Sequence, residues 1–151
     1  MEITSYCLVK KKHAHRAFDG EGARLYGGRW NSPGVSVVYT SDSLALCCLE
    51  VFVNLPSYDL LKDFVYIKLT FDEKLVQDAN LREGWNERPV SKVSQRIGDK
   101  WIGEQKSTLL RVPSVIVPEG NNYLINFNHQ DFKQIKIGDS ISLDFDPRLK
   151  K

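Results

Sequence analysis

The pattern of apolar and polar residues along this chain predicts more strands than helices. Short runs rich in β-branched and aromatic residues, bounded by glycine, proline or asparagine, are typical of strands. The predicted strands span residues 3–9, 35–40, 64–71, 108–112, 115–117, 123–126, 134–137 and 141–145. Strands and helices do not alternate regularly, so we expect an α+β fold: a single domain over residues 1–151, with a mixed or antiparallel sheet and flanking helices.

Two segments have helical patterns instead. Residues 43–53 combine good helix formers with an N-cap at Ser41 or Asp42, and Pro56 ends the segment. Further along, apolar residues recur at helical spacing after Pro89, which predicts an amphipathic helix. These apolar positions are Val90, Val93, Ile97 and Trp101.

Composition and charge exclude several classes of function. Hydrophobic residues make up 42% of the chain, and the net charge of +2 is too small to indicate nucleic-acid binding by itself. We interpret the run Lys10–Lys12 as a solvated strand end. No membrane-length apolar stretch, signal peptide or metal-binding spacing is evident, so we expect a cytoplasmic protein with reduced cysteines and no metal site.

One carboxylate lies in an unusual place. Glu50 is the only charged residue of the segment SLALCCLEVFVNL, residues 43–55, which is otherwise typical of a buried helix. Removing one member of a buried ion pair costs roughly 3–5 kcal/mol, so a buried carboxylate needs a partner. Glu50 therefore either faces solvent along one edge of the helix, meets a cation, or lies on the floor of a functional site.

A glycine- and arginine-rich segment, GEGARLYGGRWN at residues 20–31, has too many glycines for a helix or a central strand. Gly27–Gly28 permit a ligand to approach the backbone, Arg29 supplies a fork suited to phosphate or carboxylate, and Trp30 supplies an apolar wall. The segment favours a phosphate-bearing ligand near Glu50. A structural ion pair between Arg29 and Glu50 also fits, because the segment matches neither GxGxxG nor a Walker loop.

These stretches resemble the signature of RES-domain proteins, a family named for an arginine, a glutamate and a serine. The similarity begins in GEGARLYGGRWNSPGVSVVYTSDSLALCCLEVFVNL. It continues through IGDKWI, LLRVPSVIVPEGNNYLIN and DFDPRL, which together cover nearly the whole chain in order. By this resemblance, four residues fall on the family's site positions: Arg29, Tyr39, Glu50 and Ser114.

The resemblance implies a fold similar to ADP-ribosyltransferases and a role as the toxin of a bacterial toxin–antitoxin pair. Toxins of this family deplete NAD by hydrolysis or phosphorolysis, and some modify a protein target. NAD is then the substrate, and no separate cofactor is expected. The implied partner is a helix-turn-helix antitoxin of the Xre-like class that covers the active site, and nucleic acid is contacted only through that antitoxin.

In such a site, Glu50 stabilises positive charge on the ribose as the nicotinamide–ribose bond breaks, and Arg29 holds the pyrophosphate. Tyr39 and Trp30 stack on the nicotinamide or wall it in, and Ser114 hydrogen-bonds the ligand. On pattern alone, Tyr39 also fits a half-buried aromatic of the sheet. Ser114 likewise fits a polar residue at the start of a strand.

Two positions depart from the family pattern. Where relatives often have YRI, this chain has Tyr6-Cys7-Leu8, so Cys7 stands in place of an arginine. Cys7 is either a small core residue or the place of a lost substrate contact that attenuates activity. Asn126-Phe127 replaces the frequent NP, and we interpret Asn126 as a clamp between side chain and backbone.

Three functions follow from these observations. The first is a toxin that depletes NAD by cleaving the nicotinamide–ribose bond. The second is an ADP-ribosyltransferase that modifies a specific protein. The third, from another class, is a catalytically weakened module that mainly binds its antitoxin.

Overall fold

A computed structural model describes residues 1–149, and one seven-stranded sheet organises them. The strands are β1 (Glu2–Lys10), β2 (Val38–Ser41), β3 (Phe64–Asp72), β4 (Val76–Asp78), β5 (Leu109–Pro113), β6 (Asn121–Ile125) and β7 (Lys136–Ser142). Their order across the sheet is β4-β5-β6-β2-β1-β3-β7. β4 and β5 run parallel, and the other neighbouring pairs are antiparallel. This mixed sheet with few helices confirms the predicted α+β class.

Three α-helices accompany the sheet: α1 (Glu21–Tyr26), α2 (Leu44–Phe52) and α3 (Lys92–Glu104). Short 3-10 segments cover Lys11–Arg16, Tyr58–Asp63, Glu73–Leu75 and Gln130–Gln134. The N-cap of α2 is Ser43, whose Oγ accepts a hydrogen bond from the Leu46 amide at 3.0 Å. The prediction of Ser41 or Asp42 was therefore wrong by one or two positions, because β2 extends through Ser41.

Strand pairing gives the sheet two different faces. Tyr6 pairs with Ser41, and side chains alternate along each strand, so Tyr6 and Ser41 share one face while Cys7 points to the other. We call the first the cleft face; it carries Leu8, Tyr39, Ser41, Asn122 and Leu124. We call the second the closed face; it carries Cys7, Val38, Ile67, Leu69 and Ile125, which form one buried cluster.

Each face is covered by different elements. Phe18, Phe127 and Phe132 pack against the closed face. On the cleft face, a second cluster joins Trp30 and Trp101 to residues of β5 and β6. α2 lies beside this cluster, with its Cys47 Sγ 3.3 Å from the Tyr6 carbonyl oxygen. α2 and α3 therefore both approach the cleft face.

Several predicted elements were wrong in detail. Residues 115–117 form no strand; the chain turns there, and the Ser114 amide bonds the Gly120 carbonyl at 2.9 Å. The predicted strands 134–137 and 141–145 are replaced by β7 alone, and β4 was missed because it has three residues. The glycine-rich segment also contains a helix, because α1 forms between Gly20 and Gly27 and accommodates Gly22.

Two other expectations, the periodicity of α3 and the clamp at Asn126, agree with the structure. α3 follows the predicted periodicity, although Val90 precedes it and Ser91 is its N-cap. Asn126 forms the expected clamp, its Oδ1 accepting from the Asn128 amide at 3.1 Å. Across residues 1–149, no helix is long and apolar enough to cross a membrane, and no cluster of three His, Cys, Asp or Glu side chains is arranged to hold a metal ion.

Candidate active site

A cleft of about 850 Å³ opens on the cleft face, within the range of roughly 300–1,000 Å³ that small-molecule sites occupy. It brings together three of the predicted site residues, Arg29, Tyr39 and Glu50. Asn122 and the loop beginning at Val115 complete its far wall. Asn122 is distant from the other three in the sequence, and the pairing of β2 with β6 brings it beside the strand that carries Tyr39.

Glu50 is half-buried in the last turns of α2, and two side chains hold its carboxylate. Ser114 Oγ donates to Oε1 at 2.6 Å, and Asn122 Nδ2 donates to the same oxygen at 2.8 Å. Among the described residues, no hydrogen bond reaches Oε2. The carboxylate is therefore fixed through one oxygen, and the other is available as an acceptor for a ligand.

Both donors to Glu50 are themselves held in place. Asn122 Oδ1 accepts from Ser41 Oγ at 2.7 Å, which orients the amide so that its nitrogen faces Glu50. Ser114 Oγ accepts from the amides of Ile116 and Val117, at 3.1 Å each. A buried polar network whose members are all bonded fixes a side chain more firmly than any single contact does.

This network changes the interpretation of Ser114. Its side chain is fully buried, with 0% exposure, and its hydroxyl donates to Glu50. The structure therefore places Ser114 behind the carboxylate and not against a ligand. Ser41 and Asn122 were missed from the sequence. The available signal was a pair of polar residues, Asn121–Asn122, at the start of an otherwise apolar strand.

Arg29 is held by backbone oxygens and not by Glu50. Its Nη1 donates to the Glu87 carbonyl at 2.7 Å and to the Trp85 carbonyl at 3.3 Å. No ion pair joins Arg29 to Glu50 within residues 1–149, so the alternative of a structural pair is wrong. Burial first, and the charge of Arg88 second, lower the pKa of Arg29. The guanidinium still stays protonated at neutral pH, and within the described part of the chain no hydrogen bond engages its Nε or Nη2, so both can donate to an anion.

Tyr39 organises the glycine segment with its hydroxyl while its ring lines the cleft. The hydroxyl donates to Asn31 Oδ1 at 2.5 Å and accepts from the Trp30 amide at 3.1 Å. Burial raises the pKa of Tyr39, so the phenol stays neutral. Gly28 is needed here, because a Cβ at this position would lie 2.7 Å from the Tyr39 oxygen. The Tyr39 hydroxyl therefore uses its proton and one acceptor position in hydrogen bonds within the protein.

Asn31, also missed from the sequence, fixes the rest of this segment. Its side chain is fully buried, and Nδ2 donates to the carbonyls of Ala23 at 2.8 Å and Val35 at 3.0 Å. Asn31 thereby ties α1 and the approach to β2 to the hydroxyl of Tyr39.

One face of α3 clamps the segment from outside. Gln95 Nε2 donates to the Gly28 carbonyl at 3.0 Å, and Asp99 accepts from the Ser32 amide at 2.9 Å and the Ser32 hydroxyl at 2.6 Å. Between them, Gly98 allows the helix to touch the Trp30 backbone, since a Cβ there would lie 1.7 Å from the Trp30 oxygen. Residues three and four apart share a helix face, so this clamp is a single surface.

Two predicted contacts with substrate do not fit this arrangement. The Trp30 indole is 2% exposed and stacks on Trp85, with ring centroids 5.8 Å apart, so it lies in the core behind the cleft and not in its wall. Cys7 is buried on the closed face, where Ile67 is its strand partner, and burial raises the pKa of its thiol to about 12. An arginine at position 7 would point away from Arg29, and Leu8 is the residue of β1 that lines the cleft.

Comparison with known proteins agrees with this architecture. The RES domain family model matches residues 5–146. The Prs ADP-ribosylating toxin of Sphingobium sp. strain YBL2 is 40% identical over 136 residues, which cover 86% of this chain and 84% of the relative. The NAD(+) phosphorylase MbcT of Mycobacterium tuberculosis strain H37Rv is 52% identical over 40 residues, 25% of this chain and 22% of the relative.

A solved structure shows the same fold. A chain in the crystal structure of the M. tuberculosis MbcT–MbcA toxin–antitoxin complex superposes with a TM-score of 0.75. The match covers 95% of this chain and 85% of that chain at 22% sequence identity, so it shows likeness of fold alone.

Proposed function

Because this chain belongs to the RES-domain family, we propose that it is the toxin of a toxin–antitoxin pair and that it consumes NAD by cleaving the nicotinamide–ribose bond. One observation carries the proposal. The Glu50 carboxylate is fixed through Oε1 by Ser114 and Asn122, and no hydrogen bond from residues 1–149 reaches its Oε2 or the Nε and Nη2 of Arg29 in the same cleft.

Glu50 has the chemistry that this cleavage requires. The ribose–nitrogen bond breaks with its electron pair on nicotinamide, which leaves as a neutral molecule, and the ribose becomes oxocarbenium-like. A carboxylate oxygen held beside that ribose stabilises the positive charge as it develops, and it needs no reorganisation because it is already oriented. Oε2 of Glu50, which no hydrogen bond reaches among the described residues, would make this contact or accept a hydrogen bond from a ribose hydroxyl.

The acceptor then completes the reaction at the same carbon. Water adds there and loses a proton, which gives ADP-ribose. Phosphate adds there instead in phosphorolysis, which gives ADP-ribose phosphorylated at that carbon. The name of MbcT as an NAD(+) phosphorylase favours phosphate as the acceptor to test first.

Arg29 and Tyr39 position the substrate for this step. The planar guanidinium of Arg29, anchored on one nitrogen by two carbonyls, offers its remaining N–H groups to the pyrophosphate. Tyr39 presents its ring to the cleft as an apolar surface for the nicotinamide half, since its hydroxyl is engaged by Asn31.

Modification of a protein is the second candidate, and one finding favours it. The Sphingobium relative, 40% identical over most of both chains, is named as an ADP-ribosylating toxin. The same bond breaks in that reaction, and a nucleophilic side chain of the target protein takes the place of water or phosphate. Glu50 and Arg29 have the same roles in both reactions, so the acceptor is what separates the candidates.

One experiment tests the proposal and identifies the acceptor. Purified protein is incubated with NAD, and nicotinamide release is followed in buffer, with added phosphate, and with a bacterial lysate passed through a desalting column. A rate that rises with phosphate indicates phosphorolysis, and a labelled protein band from the lysate with labelled NAD indicates ADP-ribosylation. Absence of nicotinamide release under all three conditions contradicts the proposal.

We further propose that an Xre-like antitoxin silences this toxin by covering the cleft near Arg29, Tyr39 and Glu50. The fold it shares with a chain of a toxin–antitoxin complex supports such a partner. Hydrogen exchange of the toxin with and without co-purified antitoxin tests this. We expect slower exchange across residues 24–52 in the complex, and unchanged exchange in that region contradicts occlusion.

A further inference from the structure

A second hollow, of about 390 Å³, lies between α3 and the parallel edge of the sheet. It is lined by other residues of α3 than those that clamp the glycine segment. Its main lining residues are Gln77, Arg82, Arg96, Ile97, Lys100 and Trp101. The hollow shares none of its lining residues with the cleft.

The rim of this hollow carries uncompensated positive charge. The side chains of Arg82 and Arg96 are exposed and, within residues 1–149, have no hydrogen bond or ion pair. Lys100 Nζ lies 3.7 Å from a Glu104 carboxylate oxygen, and Lys106 shares that carboxylate at 3.3 Å. Glu104, the carboxylate in the lining, is therefore already neutralised, and two arginines remain for an anion.

The floor of the hollow combines apolar surface with a polar side chain. Trp101 Nε1 donates to Ser107 Oγ at 2.8 Å, and the Ser107 hydroxyl lies 3.0 Å from the Leu109 carbonyl oxygen and 3.3 Å from Gln77 Oε1. The Gln77 amide, whose oxygen accepts and whose nitrogen donates, is the polar group that the floor offers to a ligand. The accessible apolar part comes from half-buried lining residues, Ala79, Val93 and Ile97, while Trp101 and Leu110 are almost fully buried.

We propose that this hollow binds a small ligand with a phosphate group on a flat apolar body, for which a nucleoside monophosphate is the simplest chemistry. The two arginine forks match a phosphate, which they bind bidentately. The apolar floor and the Gln77 amide match a base. The volume lies at the lower end of the usual range for small-molecule sites, roughly 300–1,000 Å³. This site is independent of the proposed cleavage of NAD.

Tryptophan resonances allow a test that separates the two sites. The chain has three tryptophans, so the indole N–H region of a ¹H–¹⁵N spectrum holds three signals, which Trp→Phe variants assign. Trp101 borders the hollow, and Trp30 and Trp85 pack together behind the glycine segment. The full-length protein is titrated with AMP, adenosine and inorganic phosphate in turn.

We expect AMP to shift the Trp101 signal in a saturable way, with adenosine and phosphate each binding at least tenfold more weakly. Arg96→Gln should weaken AMP binding by at least tenfold, and Arg16→Gln, an exposed arginine on a 3-10 segment away from the hollow, should leave it unchanged. Three results would overturn the proposal: no shift of Trp101 up to millimolar AMP, shifts confined to Trp30 and Trp85, or equal affinity in the Arg96→Gln protein.

Discussion

The closed face and the open part of the cleft face belong to the same sheet but bury different kinds of side chain. The closed face buries Cys7, Ile67, Leu69 and Ile125 against one another. The open part of the cleft face instead buries the hydroxyl of Ser41 and the amide of Asn122, and both serve Glu50. Alternation along a strand separates these two environments by a single residue, so a neighbouring pair such as Cys7 and Leu8 belongs to different regions.

The two regions contribute differently to the protein: apolar contacts on the closed face stabilise the fold, and the polar network fixes the position of Glu50. Apolar burial stabilises a fold by roughly 25 cal/mol per Å² of surface removed from water, and the closed face is made of such contacts. Polar networks contribute less net stability but impose one geometry. Substitutions on the closed face should therefore lower stability with little direct effect on catalysis. Substitutions of Glu50 should lower activity with little effect on stability.

The largest effect is expected on the closed face, for Cys7→Arg. A guanidinium placed there has no carboxylate partner among the closed-face residues, and an uncompensated buried charge destabilises a protein by roughly 3–5 kcal/mol. Urea unfolding measures the loss, with Cys7→Ala as the control for removal of the thiol alone. A Cys7→Arg protein with parental stability and faster NAD turnover would show that this side chain reaches the substrate.

The second effect, Glu50→Gln, should spare stability and remove activity. Glutamine keeps an oxygen that accepts from Ser114 and Asn122 but loses the negative charge that the proposed mechanism needs beside the ribose. We expect turnover to fall at least 100-fold, about 2.7 kcal/mol or more of transition-state stabilisation. Glu2→Gln makes the same chemical change at an exposed position in β1 and should be silent. Turnover near the parental rate in purified Glu50→Gln would contradict the site.

A third pair of variants tests α3, the helix that clamps the glycine segment on the cleft face. Gly98→Ala places a Cβ 1.7 Å from the Trp30 oxygen, which belongs to backbone and cannot rotate away. We expect a loss of about 1–3 kcal/mol and a higher KM for NAD, because the segment that carries Arg29 must shift. Gly103→Ala in the same helix meets no atom within 4 Å, so it should be neutral or stabilise by up to about 1 kcal/mol. Equal effects of the two variants would show that the clamp is unimportant.

The smallest effect is expected for Arg29→Lys. Lysine keeps the charge but loses the planar fork, so it cannot hold the Glu87 carbonyl and a phosphate in the same geometry. We expect NAD affinity to fall about tenfold, equivalent to about 1.4 kcal/mol, with the urea midpoint nearly unchanged. Calorimetry in the Glu50→Gln background avoids turnover, and Arg16→Lys is the matched control. A lower midpoint with unchanged affinity would instead indicate a structural role.

The sequence predicts the elements that depend on local patterns of apolar and polar residues. β1, β3 and α3 follow from periodicity, and Glu50 is conspicuous because it is the one charge in an apolar helix. Residues 115–117 mislead, because three apolar residues look like a strand wherever they lie. There the chain is turned by the bond from the Ser114 amide to Gly120, which no local pattern reveals.

The supporting residues of the site depend on long-range pairing. Asn122 is an ordinary polar residue until β6 pairs with β2 and brings Ser41 beside it, 81 positions away in the chain. Trp30 also depends on a distant contact. An aromatic residue after glycines suggests the wall of a ligand site, but the Trp30 backbone packs against Gly98 and its ring lies in the core. Side-chain direction in irregular segments is set by such distant contacts.

The anchoring of Arg29 has a consequence for the evolution of this surface. The oxygens that hold its guanidinium belong to the backbone at Trp85 and Glu87, and every amino acid supplies the same carbonyl. The exposed side chain at position 87 is thus free to change in size or charge without releasing the arginine. The rim around the cleft can therefore change from one relative to another, and with it the surface that the proposed antitoxin would contact, while Arg29 stays anchored in the same place.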